Sequence, residues 1–400
     1  MRAYERFLNY VPVYTRSDET SETMPSTKRQ FDLARLLAEE LRQLGVEDAA
    51  VSDTCCVYGS LPATPGREKD PALGFLSHMD TADYEAETVR PRLHPDYDGG
   101  PVALEGRTLS PEMFPHLPQL RGQTLITASG DTLLGADDKA GIAEIMTMVE
   151  ELATLPHGKI AVAFTPDEEI GRGTEGFDVE RFGADFAFTV DGGAAGEIEY
   201  ENFNACDCVF TFHGVDVHPG SAKHVMVNAL LLAQEAAAMV PAVETPRDTE
   251  GYEGFYHLLH AEGCVARATL RYLIRDHDGE KFQARKETLR AIERAIREKW
   301  GPESVTLEIR DQYRNMAEII RQYPWLLERA ERAARAVGLE PKTLPIRGGT
   351  DGANLSFRGL PCPNLGTGGY AFHGPYEHIT AEARDQGTAM LVRLATEEFQ

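Results

Sequence analysis

Across residues 26–45 the apolar positions recur at helical spacing. Phe31, Ala34, Leu37, Ala38, Leu41 and Leu44 share one face, Ser26 or Thr27 supplies a cap, and Gly45 ends the run. This pattern predicts a helix laid against a core. The rhythm then changes to short, almost wholly apolar, β-rich runs at 72–76, 124–127, 160–164 and 186–190, as expected of strands buried on both faces. A helix is predicted over 139–152. Strand, polar loop and amphipathic helix in alternation give a mostly parallel sheet with flanking helices, and ligands of such sheets gather at the carboxyl ends of the strands. The Pro- and Gly-rich stretch 81–123 reads as an excursion that helps to wall a site.

From about residue 205 the pattern restarts as strand 206–212, helix 225–240, strand 265–274, helix 279–300 and strand 305–310. Two helices on one face of a small antiparallel sheet make an α+β domain. A helix at 325–337 then returns to the first pattern. The expected fold class is α/β with an inserted α+β domain, residues 1–204 and 314–400 forming one discontinuous domain and 205–313 the insert. The run 280–299 mixes charges of both signs at helical spacing, which predicts a solvated face without chemistry.

Composition narrows the functions open to such a chain. Asp and Glu number 64 against 40 Lys and Arg, and a net charge of −24 argues against nucleic acid or an anionic membrane as partner. The most apolar helix, 225–240, is interrupted by Asn228, Gln234 and Glu235 and is too short to span a bilayer. The first seven residues place Arg2, Glu5 and Arg6 where a secretory signal needs apolar residues, so a cytoplasmic location is expected. The six cysteines lack the spacing of a zinc knuckle or a disulfide framework. Cys206 and Cys208 point the same way on a strand and could hold a metal, although buried structural thiols are the simpler reading.

Five short clusters carry the candidate chemistry. In His78-Met79-Asp80 an extended backbone turns residues i and i+2 the same way, so the carboxylate can orient the imidazole. Asp137-Asp138-Lys139 opens a helix, where acids serve equally as caps or as metal ligands. Glu168-Glu169 follows a strand and Pro166, and two adjacent carboxylates can aim at different targets, one a metal and one a water. Asp191 emerges at a strand end before Gly192-Gly193, and His373 lies in a Gly-rich loop. Two histidines and three carboxylates suit two zinc ions when one carboxylate bridges them. Cobalt and manganese accept similar ligands. Residues 347–352 lack the spacing of a phosphate loop, and no Gly-x-Ser-x-Gly elbow occurs.

These clusters in this order, with the stretches 6–11, 133–145, 162–169, 249–257 and 345–352, resemble the M20 metallopeptidase family over nearly the whole chain, in particular its tripeptide aminopeptidases. The resemblance implies a fold of the zinc-peptidase type. It implies that His78 and Asp191 hold one zinc, that Glu169 and His373 hold the other, and that Asp137 bridges them. Glu168 is then the general base, Asp80 orients His78, and the Asp137–Asp138 peptide is cis. The insert becomes a lid and dimerisation domain through which a homodimer forms. Its His218 reaches a substrate carbonyl and Asn228 supplies a substrate-binding amide. The resemblance has one departure: relatives carry His-Gly-Lys-His-Glu where this chain has His373-Gly374-Pro375-Tyr376-Glu377, with another histidine at His378.

A tripeptide substrate has a fixed distance between its ammonium and its carboxylate, so length selection needs a basic anchor. Arg275 and Arg347 are the candidates. Each also has a structural alternative, Arg275 in pairing with Asp276 or Asp278 and Arg347 in satisfying loop carbonyls. The expected activity is release of the N-terminal residue from a tripeptide. The alternatives are a dipeptidase or N-acyl amino acid hydrolase on the same metals, or a noncatalytic metal-dependent peptide binder, which has no need of Glu168.

Overall fold

A computed structural model describes residues 1–399. They divide into two compact units, one formed by residues 1–200, 318–344 and 350 onward, the other by 201–317 with 345–349. Among the described residues no helix is long and apolar enough to cross a membrane.

The first unit is built on a seven-stranded sheet in the order Ala50–Val51, Val57–Leu61, Ile160–Thr165, Leu73–His78, Phe186–Val190, Asn364–Leu365, Ile198–Glu199. The four strands from Ile160–Thr165 to Asn364–Leu365 run parallel, and the outer pairings are antiparallel. Alternation along each strand divides the core. Phe75, Val162, Phe164, Phe188 and Val190 face the helix Ala136–Leu152 through its Ile142, Ile145, Met146 and Val149. The opposite face carries the small Ala161, Ala163 and Ala187, which leave room for Phe177, Phe182 and the short helix Asp351–Phe357. Gly141 brings helix and sheet into contact: a Cβ there would lie 2.0 Å from the carbonyl oxygen of Val190.

Three expectations shift in this unit. The first helix runs Gln30–Gln43, and neither Ser26 nor Thr27 caps it. Ser26 instead gives its N–H and hydroxyl to the buried carboxylate of Asp167, which Gln30 also meets. The run at 124–127 forms a strand, Leu125–Thr127, outside the main sheet, between His378–Thr380 and Arg92–His94 in a small antiparallel sheet. The excursion is therefore partly ordered by pairing with the end of the chain.

Arg384 on the helix Ala381–Thr396 faces Glu144 on Ala136–Leu152, Nη1 to Oε1 at 2.9 Å, with both side chains at most 1% exposed. The pair is close but poorly aligned, since neither of these atoms completes a hydrogen bond. Burial pushes the Glu144 carboxyl up to about 8, against the pull of Arg384. Removing Arg384 leaves the buried Glu144 carboxyl without its partner. Arg384→Met should lower urea-denaturation stability by about 3–5 kcal/mol, while adding Glu144→Leu should recover most of the loss.

The second unit holds a four-stranded antiparallel sheet, Phe255–Gly263, Arg267–Asp276, Asn204–His213, Val305–Tyr313. Cys206, Cys208, Phe210, Phe212, Tyr272 and Ile274 pack against the helices Ala229–Met239 and Gly279–Trp300. Arg271 and Asp207 pair on the open face. The two thiols, 3.6 Å apart, are core residues, and no group of three metal-ligand types among the described residues includes them. The helix expected from residue 225 begins at Ala229, because Val227 pairs with Val215 and Asn228 is the cap.

Candidate metal centre

Parallel strands deliver the site to one edge. Leu73–His78 ends in His78, Ile160–Thr165 leads to Glu168 and Glu169, and Phe186–Val190 leads to Asp191. The Asp191 N–H donates to the Leu365 carbonyl at 3.0 Å, and Asn364 Nδ2 donates to the Asp191 carbonyl at 2.7 Å. The helix held close by Gly141 brings in Asp137, whose peptide bond to Asp138 is cis. His373 arrives from a loop late in the chain.

Asp137 lies at the centre. One of its oxygens is 3.0 Å from His78 Nε2, which is also 3.6 Å from Asp191 Oδ1. The other is 3.0 Å from His373 Nε2, which is 3.1 Å from Glu169 Oε2. Two ligand groups thus share one carboxylate. The His78 Nδ1–H donates to the backbone carbonyl of Asp80 at 3.1 Å, with Asp80 Oδ1 at 3.4 Å, so the Nε2 lone pair faces the acids. Asp80 also accepts the N–H of Glu168 at 3.0 Å and of Glu169 at 3.2 Å. One buried residue therefore sets the imidazole through its carbonyl and the turn carrying both glutamates through its carboxylate.

The electrostatics of this cluster call for a cation. Burial pushes Glu169 up to about 7, with Asp137 adding to the shift, and pushes Asp351 up to about 7. Glu168 and Asp138 are raised well above the carboxylate range, by burial first and by neighbouring acids second. Burial opposes charge on His78, yet Asp191, Asp137 and Asp80 raise it well above its ordinary value. Hydrogen bonds to Asp137 and Glu169 raise His373 to about 11. Asp137 is held low by the two histidines despite its burial. Lys139 is no counter-charge by contact, since its Nζ donates to the Val13 carbonyl at 2.6 Å. Glu169 Oε1 is buried without a partner. Carboxylates and imidazoles crowded to this degree, with an orphaned oxygen, fit divalent cations. The cluster has the donor set of a metal site.

The structure brings His78, Asp80, Asp137, Glu168, Glu169, Asp191 and His373 together in the first unit. The other expected residues lie in the second. His218 is exposed, and its Nδ1 accepts the Gly220 N–H at 3.1 Å, so the proton of the neutral ring sits on Nε2, free to donate. Asn228 accepts the Leu230 N–H at 3.0 Å as a helix cap. Arg275 donates to the carbonyls of Ile274 and Cys206 at 3.0 and 3.3 Å and lies over Tyr313. Arg347 donates to the carbonyls of Gly251 and Glu253 at 2.7 and 3.0 Å.

Several residues support the site with little sequence signal. Asp138 accepts the His78 N–H at 3.2 Å and the Ser77 hydroxyl, Asp351 accepts the Thr165 hydroxyl at 2.8 Å, and Glu377 caps the turn before Asp137. Tyr376, in place of the relatives' second histidine, packs against Phe114 with ring centroids 5.5 Å apart and under Arg107. In the sequence Glu377 appears only as the glutamate shared with the relatives' His-Gly-Lys-His-Glu, with nothing to mark its role.

A sheet with a parallel centre, flanking helices and a buried acid–histidine centre define a metal-dependent hydrolase fold and site. The sequence profile of peptidase family M20/M25/M40 matches residues 133–397, and the chain belongs to that family. It is 50% identical to a protein of Geobacillus kaustophilus named peptidase T, covering 98% of this chain and 96% of that one. Among solved structures it resembles aminopeptidase PepT of Bacillus cereus with a TM-score of 0.77 at 22% identity, covering 99% and 97% of the two chains. It also resembles a tripeptidase of Staphylococcus aureus with a TM-score of 0.78 at 20% identity, with the same coverage.

Proposed function

We infer that this chain is a metal-dependent aminopeptidase that removes the N-terminal residue from tripeptides. The observation that carries the reading is the sharing of Asp137 between two ligand groups with Glu168 beside them, in a chain half identical to a peptidase T. His78 and Asp191 would hold one zinc, Glu169 and His373 the other, with Asp137 between them and cobalt or manganese as alternatives. Metal ions at such a site supply Lewis acidity toward the scissile carbonyl and lower the pKa of water.

The chain's own residues do the rest. Glu168 takes a proton from the attacking water and passes it to the leaving amine, a task suited to a carboxylate whose burial raises its proton affinity. Glu168 also lies within 4.8 Å of ligand atoms of His78 and Asp191, so distance alone permits it as a ligand. The base role is favoured because His78 Nε2 already has two carboxylates beside it, Asp137 at 3.0 Å and Asp191 at 3.6 Å, which leaves Glu168 for the water. His218 Nε2–H is the donor assigned to the developing oxyanion. Asn228 binds the peptide main chain, and Arg275 or Arg347 meets its carboxylate by releasing a carbonyl partner. The second unit supplies the surface of a homodimer. Its edge strand Phe255–Gly263 exposes Leu258 and Leu259, and sedimentation of the purified protein decides the point.

The test is a substrate series on the metal-loaded enzyme: Leu-Gly, Leu-Gly-Gly, Leu-Gly-Gly-Gly, N-acetyl-Leu-Gly-Gly and N-acetyl-leucine. The tripeptide should exceed its shorter and longer neighbours by about tenfold or more in kcat/KM, and the acetylated tripeptide should be inert. Preference for N-acetyl-leucine would move the chain to the N-acyl amino acid hydrolases.

A further inference from the structure

The loop from Tyr370 to His378 meets the metal centre twice, through His373 and through Glu377. Its ends are tied together: the Tyr370 N–H donates to the His378 carbonyl at 2.9 Å, and the His378 N–H donates back at 3.1 Å. A histidine pair braces it further. His378 Nδ1–H donates to the Tyr376 carbonyl at 2.6 Å, which leaves its Nε2 to accept from His116 Nε2–H at 2.8 Å. These bonds close the loop on itself.

Glu377 is 1% exposed, and both its oxygens are spent on a single turn. Oε2 accepts the N–H of Leu134 at 2.7 Å and of Gly135 at 2.8 Å, and Oε1 accepts the N–H of Asp137 at 2.9 Å. Its hydrogen bonds are all to these three amides, and the buried Lys139 attracts it without forming an ion pair. The last of them belongs to the residue whose carboxylate lies between His78 and His373. Main-chain position at Asp137 and presentation of His373 are thereby fixed by one side chain.

We propose that Glu377 is a positioning residue that couples the two metal sites, so that both fill together. The proposal rests on the two-metal reading of the centre. Fixing the Asp137 carboxylate on one ion would fix the turn that Glu377 grips, and with it the loop that offers His373 to the second. Without the link each half orders by itself, and the second site bears that cost alone.

The experiment is a Zn2+ titration of metal-free protein by calorimetry, with bound metal counted by elemental analysis. Wild type should take up two ions in one cooperative step. Glu377→Gln, which presents an NH2 where an oxygen accepted an N–H, should still bind the first ion, but with the second step separated and weakened by about 10–100-fold. Hydrogen exchange of the wild-type protein supplies an independent measurement should the variant fail to fold. Residues 132–138 and 370–378 should gain protection at the same metal-to-protein ratio. Gain at different ratios, or a variant that titrates like wild type, overturns the coupling. A wild type that binds fewer than two ions overturns the two-metal reading itself.

Discussion

Glu168→Gln should lower kcat for a tripeptide by about 10²–10⁴-fold while leaving the metal content unchanged. Glutamine keeps the size of the side chain, and the Glu168 backbone N–H keeps its bond to Asp80 at 3.0 Å, so the turn should not move. What disappears is a group able to carry a proton between water and the leaving amine. If the loss lies in proton transfer, kcat should fall and KM change little. Elemental analysis separates this role from the ligand role that the distances also permit. A variant short of one metal would make Glu168 a ligand, and a fully loaded variant of wild-type rate would remove it from the mechanism.

Stripping the metal should abolish hydrolysis and make the fold sensitive to alkali. In the metal-free centre Glu169 and Asp351 are raised to about 7 and His373 to about 11. For a group whose folded pKa exceeds its unfolded value, stability is fully present below the unfolded pKa and is lost as pH rises through the folded one. For the two acids the loss begins above the ordinary carboxylate range near 4 and is complete past about 7; for His373 it begins near 6.5. Lys139, depressed to about 7 by burial, acts in the opposite sense above that pH, but it is one group against several. The melting temperature of chelated protein should therefore fall between pH 6 and pH 8 by several degrees, and added Zn2+ should restore it most at pH 8. Equal melting temperatures at both values, with metal absent, would mean that the acids do not repel as their burial requires.

The strands that end in His78, Glu168 and Asp191 were legible because strands buried on both faces leave unbroken apolar runs, and the acids follow directly. Helix Gly279–Trp300 was legible from its periodicity; its cap, Asp278, whose side chain accepts the Lys281 N–H, was not read as one. Strand Phe255–Gly263 was not, for its outward residues His257, His260 and Glu262 break the apolar pattern of an edge that is largely exposed. Ser26 shows the limit of local rules. It has the chemistry of a cap, yet Asp167, distant in sequence, takes its hydrogen bonds. Glu377 and Asp138 escaped for the same reason, since a carboxylate that binds main-chain amides of another segment leaves no spacing to recognise. Tyr376 was visible as a departure, but its place against Phe114 depends on how the 81–123 excursion folds back.

The two-residue strand Asn364–Leu365 lies between Phe186–Val190 and Ile198–Glu199, and it holds the main chain of Asp191 on both sides. On the ribosome the sheet must therefore wait with a vacant lane through the synthesis of more than a hundred and sixty intervening residues. Nascent and prematurely terminated chains have no finished centre. A peptide-degrading activity is thus withheld until the segment 364–377 has been made.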